Sequence, residues 1–194
     1  MKRVFLIGDS IRIGYDAYVR ELLEGRAQVY WSGDNARFVQ YTLRYISEWA
    51  VQDCDPERID IAYWNNGLWD AAHVFGDEQP QTPLDEYKLN LRRIIGRLRR
   101  VFPAATIIFG TTTSVIEERM TSQFYRRNAE IERYNEAARA VMREENVAVS
   151  ELYDVSRAMP DDWHSQDGTH FTEDGYRALA EAVARDIGSF LREG

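Results

Sequence analysis

A single cysteine, Cys54, stands in 194 residues, so no intrachain disulfide can form and no cysteine-based metal set can be assembled. With no paired histidine motif it reads as a half-buried filler rather than a nucleophile. Long apolar runs are missing too. Nothing approaches the ~20 consecutive apolar residues that a membrane-spanning helix needs, which excludes a membrane-embedded chain. Met1-Lys2-Arg3 leads straight into Val4-Phe5-Leu6-Ile7, too short a stretch for the apolar region of a signal peptide, so a cytoplasmic location is expected. Positive charge is in deficit: 24 Lys and Arg face 32 Asp and Glu, and the resulting net charge of −8 repels phosphate backbones. Nucleic acid is therefore not an expected partner. No internal repeat, low-complexity tract or long linker is present, and a single domain over residues 1–194 is expected.

What is present is an alternation of short apolar runs with longer segments of helical period. Val4 to Ile7, Gln28 to Trp31, Ile59 to Trp64, Thr106 to Gly110 and Val147 to Ser150 read as strands. Between and after them, helices are expected at Tyr15 to Glu24, Phe38 to Val51, Leu84 to Phe102, Tyr125 to Glu145 and Thr172 to Arg192. Leu84, Tyr87, Leu91, Ile94, Ile95, Leu98 and Val101 share one stripe of the third helix, a face that must pack on a sheet. Regular βα alternation implies a parallel sheet covered on both faces, a three-layer α/β sandwich. Arg92, Arg93, Arg97, Arg99 and Arg100 lie off the stripe near the helix C-terminus and read as a solvated face. Two aperiodic stretches, Ala71 to Pro83 and Val115 to Phe124, follow strands and so fall at the carboxyl edge of the sheet, where open α/β folds place ligands.

Two short motifs carry chemistry. Gly8-Asp9-Ser10 ends the first strand, and a serine at a strand-to-helix turn can present its hydroxyl at the sheet edge while its own N–H points at an oxyanion. The competing reading is that Ser10 merely caps the helix. Near the other terminus, Asp167-Gly168-Thr169-His170 precedes the last helix. An aspartate there can hold the imidazole Nδ1–H and leave Nε2 free to take a proton, or it can simply bond backbone amides of the turn. His164, Asp167 and His170 are evenly spaced as metal ligands often are, but no other histidine- or cysteine-rich segment completes such a site, so neither metal nor cofactor is expected. His73, in an aperiodic loop, reads as a surface residue.

Taken together, Gly8-Asp9-Ser10 and Asp167-x-x-His170 resemble the SGNH, or GDSL-like, hydrolase family of esterases, lipases, thioesterases and carbohydrate acetylesterases. The resemblance runs from Val4 to Leu191. It implies a flavodoxin-like fold with a five-stranded parallel sheet, a small-molecule ester substrate, Ser10 as nucleophile, His170 as general base and Asp167 as its orienting acid. Trp31-Ser32-Gly33-Asp34-Asn35 resembles the family's second block and nominates the Gly33 N–H, beside that of Ser10, for the oxyanion hole. The third block departs from the usual Gly-x-Asn-Asp: Asn65-Asn66-Gly67-Leu68-Trp69-Asp70 sets Trp69 where the donor asparagine normally stands, so Asn66, or Asn65 less directly, is the expected donor. Asn35, Asn65, Trp69 and Trp163 are expected to touch substrate. An acyltransferase or thioesterase would use the same residues, and the altered third block leaves room for a non-catalytic carbohydrate-binding module.

Overall fold

The computed structural model describes residues 1–191. In chain order its elements are β1 (Lys2–Ile7), α1 (Ser10–Leu22), β2 (Ala27–Trp31), α2 (Val39–Asp53), β3 (Ile61–Asn65), β4 (His73–Val74), α3 (Leu84–Val101), β5 (Thr106–Gly110), β6 (Phe124–Tyr125), α4 (Asn128–Glu144), β7 (Ala148–Ser150), α5 (Leu152–Arg157) and α6 (Glu173–Phe190). The apolar runs become strands because they are covered on both faces: Val4, Phe5, Leu6 and Ile7 have no exposed surface, nor do Ala62, Tyr63 and Trp64.

Five of the strands form one parallel sheet in the order β2-β1-β3-β5-β7. That order reverses direction between β1 and β3, which opens a crevice at their carboxyl ends. Helices α1 and α6 pack against each other on one face, while α2, α3 and α4 follow in succession on the other. Leu179, Val183 and Ile187 of α6 are fully buried, each contributing roughly 1.5–3 kcal/mol through apolar burial. The α1–α6 contact depends on Gly14, where any side chain would overlap the Tyr176 ring.

Several expected boundaries move for physical reasons. Helix α1 begins at Ser10 rather than Tyr15, because the Asp9 carboxylate accepts the Ile11 N–H at 3.0 Å and starts the helix at once. Helix α4 begins at Asn128 rather than Tyr125, since Phe124 and Tyr125 instead pair antiparallel with Val74 and His73. Helix α5 was not expected; six residues are too few to show a helical period. The expected last helical residue, Arg192, lies outside the described residues, and α6 ends at Phe190. The arginines of α3 serve the surface: Arg92 pairs with Glu144 and Arg99 with Glu145, tying α3 to the end of α4. His73 is not a surface residue. It is buried, stacks on Tyr125 with ring centroids 4.8 Å apart, and places Nε2 2.7 Å from a Glu130 carboxylate oxygen, which pins the β4–β6 ribbon to α4.

Candidate active site

The crevice at the ends of β1 and β3 brings together residues that are 160 positions apart in the chain. The Ser10 hydroxyl stands 2.8 Å from His170 Nε2, and His170 Nδ1 stands 2.6 Å from an Asp167 carboxylate oxygen. A carboxylate only accepts, so Nδ1 carries the proton and donates, leaving Nε2 to accept from the Ser10 hydroxyl. Because the Asp9 side chain caps α1, the Ser10 hydroxyl is not drawn into that role. Ser10 is the first residue of the helix, so its N–H has no intrahelical acceptor and lies at the positive end of the helix dipole.

The loop carrying His170 is fixed by Asp167 itself. One carboxylate oxygen accepts the Ser165 hydroxyl at 2.6 Å, the Thr169 N–H at 2.8 Å and the His170 N–H at 2.9 Å. The other is left for the imidazole. Partial burial pushes the Asp167 carboxyl up, but the hydrogen bonds from Ser165, His170 and Thr169 outweigh it and hold the group well below the usual carboxylate range. Gly168 makes the turn possible: its φ of +72° is in the left-handed region, and a side chain there would strike the Ile116 carbonyl.

A pocket of about 250 Å³ opens beside this arrangement, lined by Ser10, Asp167 and His170 together with Trp69, Phe124, Arg126 and their neighbours. Trp69 is part of this lining, its ring 5.8 Å from that of Phe124. A wider hollow of about 820 Å³, lined in part by Tyr18, Glu21 and Val29, has no serine or histidine among the described residues of its wall.

Three expected residues are placed elsewhere. The Gly33 N–H donates to the Asp53 carboxylate at 3.2 Å on an exposed turn, so in this structure it is committed there rather than offered to an oxyanion. Asn66 is fully buried and fully engaged: its amide donates to the Arg37 carbonyl and the Thr42 hydroxyl, both at 2.9 Å, and its oxygen accepts the Trp64 indole N–H. No hydrogen of that amide remains for a substrate. Trp163 lies on the short turn before the His170 loop, where its carbonyl accepts the Thr172 N–H at 2.8 Å, and it does not join Trp69 in the pocket lining.

Asn65 and Asn35 flank the Gly8–Ser10 turn. Asn65 is 5% exposed, with its side chain against the Asp9 carboxyl, a group raised by burial and lowered in smaller measure by the Ile11 amide, Arg126 and Asn65. Asn35 accepts the Arg37 N–H at 2.9 Å through its side-chain oxygen, which leaves its amide hydrogens uncommitted. The next residue, Ala36, donates its N–H to the Gly8 carbonyl at 3.0 Å and so holds this loop against the turn. His164 does not join Asp167 and His170: it is buried against Phe171 with neither ring nitrogen hydrogen-bonded. Among the described residues no group of three His, Cys, Asp or Glu side chains is disposed to hold a metal ion.

Arg119, Met120, Thr121, Phe124 and Arg126 were not anticipated in the site. They belong to the aperiodic stretch after β5 and its continuation, which was placed at the correct edge without naming residues. The signal available was an arginine pair directly after Phe124-Tyr125, a composition suited to cation–π contact.

The sheet order, the switch-point crevice and a serine–histidine–aspartate arrangement at its edge match the SGNH hydrolase-like α/β/α fold. The chain belongs to the GDSL-like lipase/acylhydrolase family, whose model matches residues 6–178, and is a carboxylic ester hydrolase. A GDSL esterase/lipase of Arabidopsis thaliana is 27% identical, with 96% of this chain and 86% of that protein covered. Among solved structures, a lipase/acylhydrolase from Enterococcus faecalis superposes with a TM-score of 0.77 at 20% identity, covering 97% of this chain and 96% of the other. A catalytic mutant of Axe2, an acetylxylan esterase from Geobacillus stearothermophilus, gives a TM-score of 0.73 at 18% identity, covering 96% and 94%.

Proposed function

We propose that the protein hydrolyses small carboxylic esters, acetyl esters of carbohydrates among them, through an acyl-enzyme on Ser10. The observation that carries this reading is the continuous hydrogen-bonded line from Ser10 through His170 to Asp167. His170 Nε2 takes the hydroxyl proton as the Ser10 oxygen bonds to the acyl carbon, and the carbonyl electrons move to oxygen. Collapse of that intermediate expels the alcohol, which leaves with the proton from Nε2. Water then repeats the sequence, freeing the acid and restoring the Ser10 hydroxyl. Asp167, held ionised, keeps the imidazole in the required tautomer and stabilises its cationic form.

The oxyanion is received by the Ser10 N–H, with the uncommitted side-chain amide of Asn35 as second donor. The acetyl-ester substrate is supported by the fold's likeness to acetylxylan esterases. Ser10→Ala is expected to cost about three or more orders of magnitude in kcat while the fold is retained. Labelling by a fluorophosphonate, mapped by mass spectrometry, is expected at Ser10. A folded Ser10→Ala variant with wild-type rates on 4-nitrophenyl acetate and acetylated sugars would sink the assignment, and an unlabelled wild type would favour a non-catalytic binding module. Asn35→Ala should lower kcat by ~10²-fold with little change in KM; an unchanged kcat removes Asn35 from the site.

A further inference from the structure

We infer that the pocket beside Ser10 is built for an ester bearing a carboxylate close to the scissile carbonyl, with Arg126 as the residue that binds it. This rests on the proposed role of Ser10 and adds the substrate class. Arg126 is only 3% exposed, yet no carboxylate forms an ion pair with it among the described residues. Its Nε donates to the Leu68 carbonyl, and Nη1 reaches the Thr169 hydroxyl only at 3.5 Å. Nη2 has no hydrogen-bond partner among the described residues, and it is not one of the polar atoms sealed from solvent. The guanidinium lies 4.5 Å above the Phe124 ring, and with Trp69 opposite Phe124 it stands at the pocket wall.

A guanidinium taken this far out of water normally comes with a carboxylate partner. The two acidic groups near Arg126 are Asp9 and Asp167. Asp167 is committed to His170, Ser165 and Thr169; Asp9 spends one oxygen on the Ile11 N–H, and its other oxygen, sealed from solvent, makes no hydrogen bond to Arg126, on which Asp9 acts only through space. Burial pulls the Arg126 guanidinium down to about 10, which leaves it cationic at neutral pH. Arg119 adds a second cation to the same wall, with Nη1 held by the His164 and Ser165 carbonyls. In a chain whose net charge is −8, a pocket lined by two arginines runs against the overall field and is suited to draw in an anion.

The test uses the full chain and two matched substrate pairs, each comparing a carboxylate with its methyl ester. Mono(4-nitrophenyl) glutarate against methyl 4-nitrophenyl glutarate puts the charge on the acyl side; 3-acetoxybenzoate against methyl 3-acetoxybenzoate puts it on the alcohol side. The wild-type enzyme should favour the charged member of one pair by at least about tenfold in kcat/KM, and the favoured pair shows which side of the ester faces Arg126. Arg126→Gln should bring that ratio to near one, whereas Arg126→Lys should keep part of it. An arginine that only supports the Leu68 carbonyl would lower both members equally and leave the ratio unmoved, which overturns the inference. Ratios near one in both wild-type pairs overturn it without any variant. If Ser10 is labelled by fluorophosphonate and both pairs are hydrolysed without preference, the carboxylate inference fails while the Ser10 reading stands. If neither labelling nor hydrolysis occurs, the Ser10 reading fails and this inference falls with it.

Discussion

Asn66→Ala separates an oxyanion donor from a structural strut, and its cost can be worked out from the hydrogen bonds it removes. The side chain makes three bonds in a fully buried setting: to the Arg37 carbonyl, to the Thr42 hydroxyl and from the Trp64 indole N–H. Truncation leaves the Trp64 N–H unpaired where neither Trp64 nor position 66 has any exposure, a penalty of about 1–3 kcal/mol. The Thr42 hydroxyl still donates to the Ala36 carbonyl at 2.8 Å, so it loses an acceptor role only, and the Arg37 carbonyl belongs to an exposed residue within reach of water. With a small void added, the loss is about 2–4 kcal/mol out of the ~5–15 kcal/mol typical of a domain. At roughly 2–4 °C per kcal/mol for a chain of this size, the thermal midpoint should fall by ~5–15 °C. Urea titration followed by tryptophan fluorescence gives the stability change, and active-site titration with a fluorophosphonate gives kcat per folded molecule. The expected result is a clear drop in the urea midpoint with kcat per labelled site within about threefold of wild type. An unchanged midpoint joined to a kcat ~10²-fold lower would refute the reasoning and return Asn66 to the oxyanion hole.

His164 gives a pH-dependent counterpart. Burial holds its imidazole below the ordinary value of 6.5, so the unfolded chain takes up a proton that the folded chain refuses, and stability falls as pH drops through the ordinary histidine range. His164→Leu should flatten the urea midpoint between about pH 7 and pH 5, keep at least about a tenth of wild-type activity and show no response to chelators, while His170→Ala should be nearly inactive. The same pH slope in wild type and His164→Leu would argue against this account, and equal inactivation of the two histidine variants with zinc-reversible chelator sensitivity would point to a metal site.

What was legible in the sequence was whatever depends on local pattern. Buried parallel strands show as uninterrupted apolar runs, so all five strands of the main sheet were located to within a residue or two, and with them the carboxyl edge where the site lies. Ser10 and Asp167-x-x-His170 each lie at a strand-to-helix or loop-to-helix junction, and the fold brings such junctions to the same edge. The partners of loop amides were not legible, because they are settled by residues far along the chain. Gly33 is claimed by Asp53, Asn66 by Arg37 and Thr42, and Arg126 by the Leu68 carbonyl. Trp163 failed as a pocket residue for the same reason: adjacency to a motif does not tell which way a turn faces. Helix α1 starts earlier than the expected Tyr15 because Asp9, hidden from solvent, caps it directly after β1, and a single capping residue leaves no apolar period to read.

The dependence of the α1–α6 contact on Gly14 and Tyr176 bears on the order in which the chain is made. Ser10 opens α1 and His170 lies just before the Thr172 cap of α6, so the distance between the two side chains follows from how these helices seat on each other. During synthesis Ser10 leaves the ribosome 160 residues ahead of His170. Until α6 docks, the Ser10 hydroxyl has no imidazole beside it. The Ser10–His170 contact forms only once these two helices have met.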